Sequence, residues 1–181
     1  AAVWAAHRTV PLNVAGYGRI MGRGIEGAHR FYGSPQKAEP MEIEGRKFRM
    51  APLTKPDFNI VDFAVNEDGN TSLEGMNSLN RRLYGLCSYE SGPLHADDWI
   101  TSKTELNHEA YGDAPRTFAA KFGIPEEEWD RVKHIYVLRS CVLTPFLTAR
   151  MTYETYWDNF INTIREKIGF IVRSGWLAHD P

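Results

Sequence analysis

The segment 13–33 constrains this chain most, because it holds six glycines in 21 positions. Each glycine inside a helix costs roughly 1 kcal/mol relative to alanine, so this composition argues against a helix. The wider stretch 1–56 contains seven glycines and five prolines. It offers too little apolar surface to offset an ordering entropy of about 1–2 kcal/mol per residue. We therefore expect residues 1–56 to form an extended, irregular arm that another molecule holds in place.

The glycines of this segment are superficially similar to a dinucleotide-binding fingerprint. That motif needs a buried strand before it, a helix after it and an acidic residue about 20 positions further on. Pro11 interrupts the required strand, and Gly22, Gly24 and Gly27 weaken the required helix. We instead favour backbone that packs closely against a partner surface, since glycine permits a close approach.

Charge is divided unevenly along the chain. Residues 1–56 carry nine basic and four acidic side chains, whereas residues 57–181 carry 12 basic and 19 acidic ones. Such an asymmetry is typical of a basic arm with its own partner, which could be an acidic protein surface, lipid headgroups or RNA. The net charge of −2 argues against nucleic acid as the main partner.

Arginine and aromatic side chains are the best candidates for contact with that partner, because they dominate interface energetics. The candidates are Tyr17, Arg19, Arg23, Arg30, Phe31 and Tyr32 in the arm, and Trp157 and Trp176 near the other end of the chain.

Periodicity predicts a mainly α fold for the rest of the chain. Apolar residues recur at helical spacing over 73–86, over 129–142 after Pro125, and over 157–171. Residues 41–50 alternate as a β-hairpin would, and 58–65 form a possible short strand bounded by a turn. We therefore expect two parts: the arm (1–56) and a small helical domain (57–181).

His95, Asp98 and His108 belong to the one histidine and carboxylate cluster in the sequence, and an acid–base or metal role is conceivable for them. Their spacing matches no catalytic motif, and acidic residues just before Trp99 more simply mark the start of a helix. Cys87 and Cys141 lie in apolar patterns that favour inert, buried thiols. The sequence thus predicts no enzyme, no cofactor and no metal.

The function these patterns favour is a non-catalytic accessory subunit of a large multi-protein assembly, with other protein subunits as its partners. A chain that begins at Ala1 is typical of a processed mature protein, which suggests a mitochondrial respiratory complex or ATP synthase. No apolar run reaches the ~20 residues of a membrane span, so only proximity to a membrane is left open. The alternatives are an RNA-associated subunit of an organelle ribosome, or an enzyme that uses the histidine cluster.

Overall fold

The computed structural model of the chain describes residues 2–88, 99–148 and 152–175. Seven helices and five strands lie in these ranges. In chain order they are α1 (Ala2–Thr9), α2 (Tyr17–Gly33), β1 (Met41–Ile43), β2 (Arg46–Pro52), β3 (Ile60–Glu67), α3 (Leu73–Leu86), β4 (Ser102–Asn107), α4 (His108–Tyr111), α5 (Arg116–Ala120), α6 (Glu126–Val132), β5 (His134–Cys141) and α7 (Thr152–Arg173). None of the helices in the described ranges is long and apolar enough to cross a lipid bilayer.

The strands form one antiparallel sheet in the order β1-β2-β3-β5-β4. The mainly α fold predicted from the sequence is therefore wrong, and the chain has an α/β fold. The hairpin expected at 41–50 is present as β1 and β2, with Glu42 opposite Lys47. It is one part of a larger sheet. The strand expected at 58–65 is also present, as β3, whereas the sequence pattern did not predict β4 or β5.

Strand β5 explains why the helical interpretation failed. Its central residues, Ile135 to Leu138, are all buried, because helices cover the sheet on both faces. A strand that is buried on both faces loses the alternation of apolar and polar residues, so its apolar positions also satisfy helical spacing. Of the predicted 125–142 helix only α6 forms, and Lys133 ends it in a left-handed conformation at φ 59°.

The expected irregular arm is also wrong, since helix α2 spans 17 of its residues. The reason lies in two glycines that face the core. A Cβ on Gly24 would lie 3.1 Å from the carbonyl oxygen of Val142, and one on Gly27 would lie 3.1 Å from Val142 Cγ1. Their missing side chains let α2 approach the end of β5, and this packing outweighs the intrinsic helix cost of glycine.

The sheet crosses the predicted domain boundary at residue 56. Strand β2 precedes this position and β3 follows it, and the two pair from Phe48 opposite Glu67 to Pro52 opposite Phe63. The two segments therefore share one sheet. The division of the chain into domains 1–56 and 57–181 stays a prediction.

Neighbouring residues on the central strands point to opposite faces of the sheet and into two apolar clusters. Phe63 and Leu138 pack with α2 and α7 on one face. Ala64 and Val137 pack with α5 and α6 on the other, where Trp129 is fully buried. Both faces are thus covered along the middle of the sheet.

Helix α3 begins after an N-cap serine. The Ser72 hydroxyl accepts a hydrogen bond from the Gly75 N–H at 3.2 Å, as an N-cap serine does. The neighbouring Leu73 N–H donates to Glu128 Oε2 at 2.8 Å. This second contact ties the start of α3 to α6.

Two asparagines of α3 form hydrogen bonds with β3 and β5 just beyond the point where the two strands stop pairing. The strands pair as far as Phe63 opposite Leu138, so Val65 and Tyr136 would be the next hydrogen-bonding neighbours on the same side. Instead, Asn80 accepts from the Val65 N–H at 2.9 Å and donates to the Val65 carbonyl at 2.7 Å. Asn77 accepts from the Tyr136 N–H at 2.8 Å and donates to the His134 carbonyl at 3.1 Å. The side-chain amides thereby replace the missing ladder.

Candidate functional site

A groove of about 920 Å³ runs between α2 and α7. Side chains of both charge signs line it. Glu26, His29, Arg30 and Lys37 belong to α2 and the residues just after it, whereas Glu154 and Asp158 belong to α7. The groove is therefore a polar surface built on the apolar layer that α2 and α7 share with the sheet.

Arg30 makes both an ion pair and a cation–π contact in this groove. Its Nη2 donates to Glu154 Oε1 at 2.7 Å, and its guanidinium lies 4.1 Å from the centre of the Tyr153 ring. The Tyr153 hydroxyl is 2.6 Å from Ser34 Oγ, which in turn donates to the Arg30 carbonyl at 3.0 Å. Burial raises the pKa of Tyr153, against the opposing effects of Ser34 and Arg30, so this phenol stays protonated at neutral pH.

His29 anchors α2 to the connection between β2 and β3. Its Nε2 lies 2.9 Å from the carbonyl oxygen of Pro56. Because a carbonyl only accepts hydrogen bonds, Nε2 carries the proton in this contact. The ring is thus committed to a structural hydrogen bond on one wall of the groove.

An aromatic cluster packs between the two helices and the sheet. It consists of Phe31, Phe63, Trp99, Trp157 and Phe160. Ring centroids are 5.0 Å apart for Phe31 and Phe160 and 4.9 Å apart for Trp99 and Phe160, with interplanar angles of 66° and 83°. Edge-to-face pairs of this kind add about 0.5–1.5 kcal/mol each beyond area burial. Of these rings, Trp157 also lines the groove.

The structure brings together three of the eight residues predicted to contact a partner. Arg30 lies in the groove, and the Phe31 and Trp157 rings below it are 5.8 Å apart. Of the others, Tyr17 and Tyr32 are half-buried, Arg19 and Arg23 are exposed, and Trp176 lies outside the described residues. Partner contact by these eight residues stays a prediction.

Sequence reasoning missed the residues that position Arg30. Tyr153 lies four residues before Trp157, which is the spacing of the apolar stripe on α7, so extending that stripe by one turn would have found it. Glu154 is adjacent to Tyr153 in sequence. No local signal marks Ser34, because its partner lies 119 residues away.

The predicted histidine cluster is described only in part. His95 and Asp98 lie outside the described residues. His108 is exposed, and its Nε2 is 3.5 Å from Asp113 Oδ1. A hydrogen bond from Trp129 Nε1, at 2.8 Å, is the main cause that lowers the pKa of Asp113.

Metal-ligating side chains do not gather into a site in the described part of the chain, where no group of three or more is placed to hold an ion. Cys87 is buried as expected, but Cys141 is exposed at the end of β5. The thiols therefore differ from the pair of buried groups that their apolar surroundings suggested.

Comparison with known proteins identifies the group to which this architecture belongs. Residues 27–168 match the family model of the tyrosine decarboxylase C-terminal region. The chain is 40% identical over 156 residues to an L-tyrosine decarboxylase of Levilactobacillus brevis, covering 86% of this chain and 25% of that relative. It is 38% identical over 168 residues to the L-tyrosine decarboxylase of Enterococcus faecalis, covering 93% and 27%, and 34% identical over 173 residues to that of Enterococcus faecium, covering 96% and 28%.

These relatives overturn the function expected from the sequence. A non-catalytic accessory subunit of a mitochondrial respiratory complex or ATP synthase is wrong, because the relatives are bacterial and carry the names of enzymes. The mitochondrial location and the organelle-ribosome alternative fail on the same finding. The prediction fails because the glycine-rich segment is not an arm without a core of its own: it forms α2, which packs against the core through Ala28 and Phe31.

The matched span 27–168 includes the whole sheet, the last two turns of α2 and most of α7. The chain spans about a quarter of the length of the curated relatives it matches. By this match the chain belongs to the tyrosine decarboxylase C-terminal family.

Proposed function

We propose that this chain is the C-terminal part of an enzyme that decarboxylates L-tyrosine. The observation that carries the proposal is the family match over 27–168, together with three relatives that are named L-tyrosine decarboxylase. Because the chain corresponds to about a quarter of those relatives, we assign it a share of the enzyme rather than the complete catalyst.

The reaction sets clear chemical demands. The bond between Cα and the carboxyl carbon of L-tyrosine breaks, CO₂ leaves, and a proton is added to Cα to give tyramine. The electron pair left on Cα needs an electron sink, which pyridoxal phosphate supplies in many amino-acid-converting enzymes.

The described residues do not fit that cofactor. Its attachment needs a lysine that can form a Schiff base, and such a lysine is activated by desolvation. Burial lowers the pKa of Lys121, but its Nζ already donates to the carbonyl oxygens of Pro52 and Leu53 at 3.0 and 2.9 Å. The other lysines of the described residues are exposed or half-buried, and Lys37 in the groove is one of them. We therefore place the bond-breaking residues in the portion of the enzyme that this chain does not match.

The contact surface that we propose for the rest of the decarboxylase is the exposed side of α2, next to the groove. Arg19 and Arg23 are exposed there, and Ile20 and Met21 between them are 48% and 54% exposed. Arginine beside exposed apolar side chains is the composition of interface cores. This surface includes Arg19 and Arg23, two of the residues predicted to contact a partner. The partner would then be the remainder of the same enzyme.

The test is a substrate assay on the complete enzyme of which we propose this chain is a part. We expect it to convert L-tyrosine to tyramine, with one CO₂ released per tyramine, as measured by chromatography and CO₂ trapping. L-phenylalanine, which lacks only the hydroxyl, is the matched comparison substrate. The assay is run with and without added pyridoxal phosphate, so that loss of a cofactor during purification is not mistaken for inactivity.

The proposal fails if L-tyrosine is not decarboxylated under either condition while the protein is folded by circular dichroism. It also fails if another amino acid is converted and L-tyrosine is not.

A further inference from the structure

We propose that an apolar face at one end of the sheet packs against the remainder of the same polypeptide. This outer apolar face consists of Phe58, Ile60, Ile100, Cys141 and Leu143. Its four large hydrophobic side chains are between 44% and 71% exposed, and the Cys141 thiol is exposed as well. The inference rests on the proposed function for the name of the partner, and it adds a surface on the sheet to the one on α2.

The pairing of β3 with β5 sets four of these side chains next to one another. Ile60 lies opposite Cys141 at the end of the two strands. The same register continues beyond the strands, because the Val142 N–H donates to the carbonyl of the residue before Ile60 at 2.7 Å. The continued register sets Phe58 opposite Leu143.

Strand β4 adds the fifth side chain on the other side of β5. Ser102 lies opposite Arg139, and Ile100 and Cys141 each lie two residues further toward the same end of the sheet. Antiparallel pairing therefore sets Ile100 beside Cys141. Residues two apart on a strand point to the same face, so all five side chains share the face that α5 and α6 cover around Val137.

The outer apolar face departs from the pattern that the rest of this sheet face follows. An antiparallel sheet that meets water on one face normally carries polar side chains there, and Lys47 and Arg49 of β2 are exposed on this same face. The helices of the described residues cover the face further along but leave its outer end exposed. Grouped, exposed apolar side chains of this kind mark a contact with another part of the molecule or with a partner.

The size of the face favours a partner in the same polypeptide over a second copy of the chain. Stable contacts between separate molecules bury about 800 Å² per partner and involve about 20–30 residues on each side, far more than five side chains supply. A covalently linked partner needs less contact area, because the link raises its effective concentration to about the millimolar range. Since the chain corresponds to about a quarter of its relatives, most of the proposed enzyme lies outside it.

The contact surface proposed on α2 reaches the same end of the sheet. A Cβ on Gly24 would lie 3.1 Å from the Val142 carbonyl oxygen and 3.9 Å from Asn59 Cβ. Arg23, the residue before Gly24, belongs to the α2 surface. One partner can therefore contact both α2 and the outer apolar face by enclosing this end of the sheet.

The experiment uses the complete enzyme, with Phe58 replaced by the photoreactive analogue p-benzoylphenylalanine. Phe58 is 61% exposed, so the replacement disturbs little packing within this chain. We expect irradiation to join position 58 to a peptide outside this chain but within the same polypeptide. The denatured product should then keep the mass of a single polypeptide, and mass spectrometry of its peptides should identify the contact. The same analogue at Phe170, which is 49% exposed on α7, is the matched control and should give no such product.

Hydroxyl-radical labelling of the unmodified complete enzyme measures the same contact without a substitution. Phe58 is more exposed than Phe170 in this chain, so an uncovered Phe58 should be labelled at least as fast. We expect Phe58 to be labelled roughly fivefold more slowly than Phe170, because the core of an interface excludes water. The two phenylalanines should react alike when the enzyme is unfolded in urea.

The proposal is overturned if Phe58 is labelled as fast as Phe170. It is also overturned if position 58 cross-links to a second copy, to another part of this chain, or to nothing. An enzyme that protects Phe58 but does not decarboxylate L-tyrosine would refute the proposed function and support this contact. An enzyme that decarboxylates L-tyrosine while Phe58 is labelled freely would support the proposed function and refute the contact.

Discussion

The glycines of α2 lie close together in the sequence, but they differ in what surrounds them in the structure. Gly24 and Gly27 face Val142, just after β5, and a Cβ on either would lie 3.1 Å from that residue, closer than an ordinary van der Waals contact, whereas a Cβ on Gly22 would meet no atom within 4 Å. The carbonyl that Gly24 faces belongs to Val142, whose N–H donates to the Asn59 carbonyl at 2.7 Å. That backbone is therefore held in place and has little freedom to move away from an added methyl group.

Gly22→Ala and Gly24→Ala form a matched pair that tests this difference. We expect Gly22→Ala to raise the free energy of unfolding by about 0.5–1 kcal/mol, because alanine favours the helix and meets open space. Gly24→Ala should lower it, since its methyl group would press on a fixed backbone oxygen. Urea unfolding measures both. A stabilising Gly24→Ala would contradict the proposed close approach.

At the level of elements, α3 and β5 show what sequence patterns can and cannot predict. The sequence predicts α3 well, because its apolar face and its Ser72 cap are both local signals. The pattern fails for β5, since burial on both faces removes the alternation that would mark a strand. Local composition also fails for α2, because its helical state depends on contacts with Val142, more than 100 positions away.

The candidate site follows the same rule. Arg30 and Trp157 could be chosen from residue type alone, because arginine and tryptophan are favoured at interfaces. Their neighbours could not, since the contact from Ser34 to Tyr153 and the ion pair from Arg30 to Glu154 join distant parts of the chain. Residue type thus indicated candidates, and only the fold showed which of them meet.

The asparagines of α3 lead to an element-scale prediction. Asn80→Ala should lower the free energy of unfolding by roughly 2–4 kcal/mol, because it leaves both the N–H and the carbonyl of Val65 buried without these partners. Asn162→Ala, at an exposed position in α7, is the control and should change stability by less than about 0.5 kcal/mol. Chemical denaturation with both variants would decide, and a small effect of Asn80→Ala would contradict the proposed role.

For the whole molecule, an acidic residue on the sheet links stability to pH. Asp62 lies opposite Arg139 on β3 and β5, and its Oδ1 is buried without a hydrogen-bond partner among the described residues. Burial raises the pKa of Asp62 above its ordinary value of 3.8, and the positive charge of Arg139 offsets this in part. The folded state therefore binds this proton more tightly than the unfolded state does.

The sign of the resulting pH dependence follows from linkage. Because the folded state retains the proton over a wider range, the Asp62 contribution to stability falls as pH rises from about 3.8 through the higher folded-state pKa. Asp62→Asn cannot ionise, so its stability relative to the unmodified protein should increase across that window and then level off. Denaturant titrations of both proteins at a series of pH values measure this difference. An unchanging difference for Asp62→Asn would refute this assignment.

The amide pair on α3 also restricts how the two central strands can be aligned. An ordinary antiparallel ladder tolerates sliding by two residues, because the backbone repeats and the same faces stay inward. Sliding β3 past β5 in this protein would move Val65 away from Asn80 or Tyr136 away from Asn77. The pairing of β3 with β5 is therefore restricted to a single register, which the side chains of Asn77 and Asn80 select.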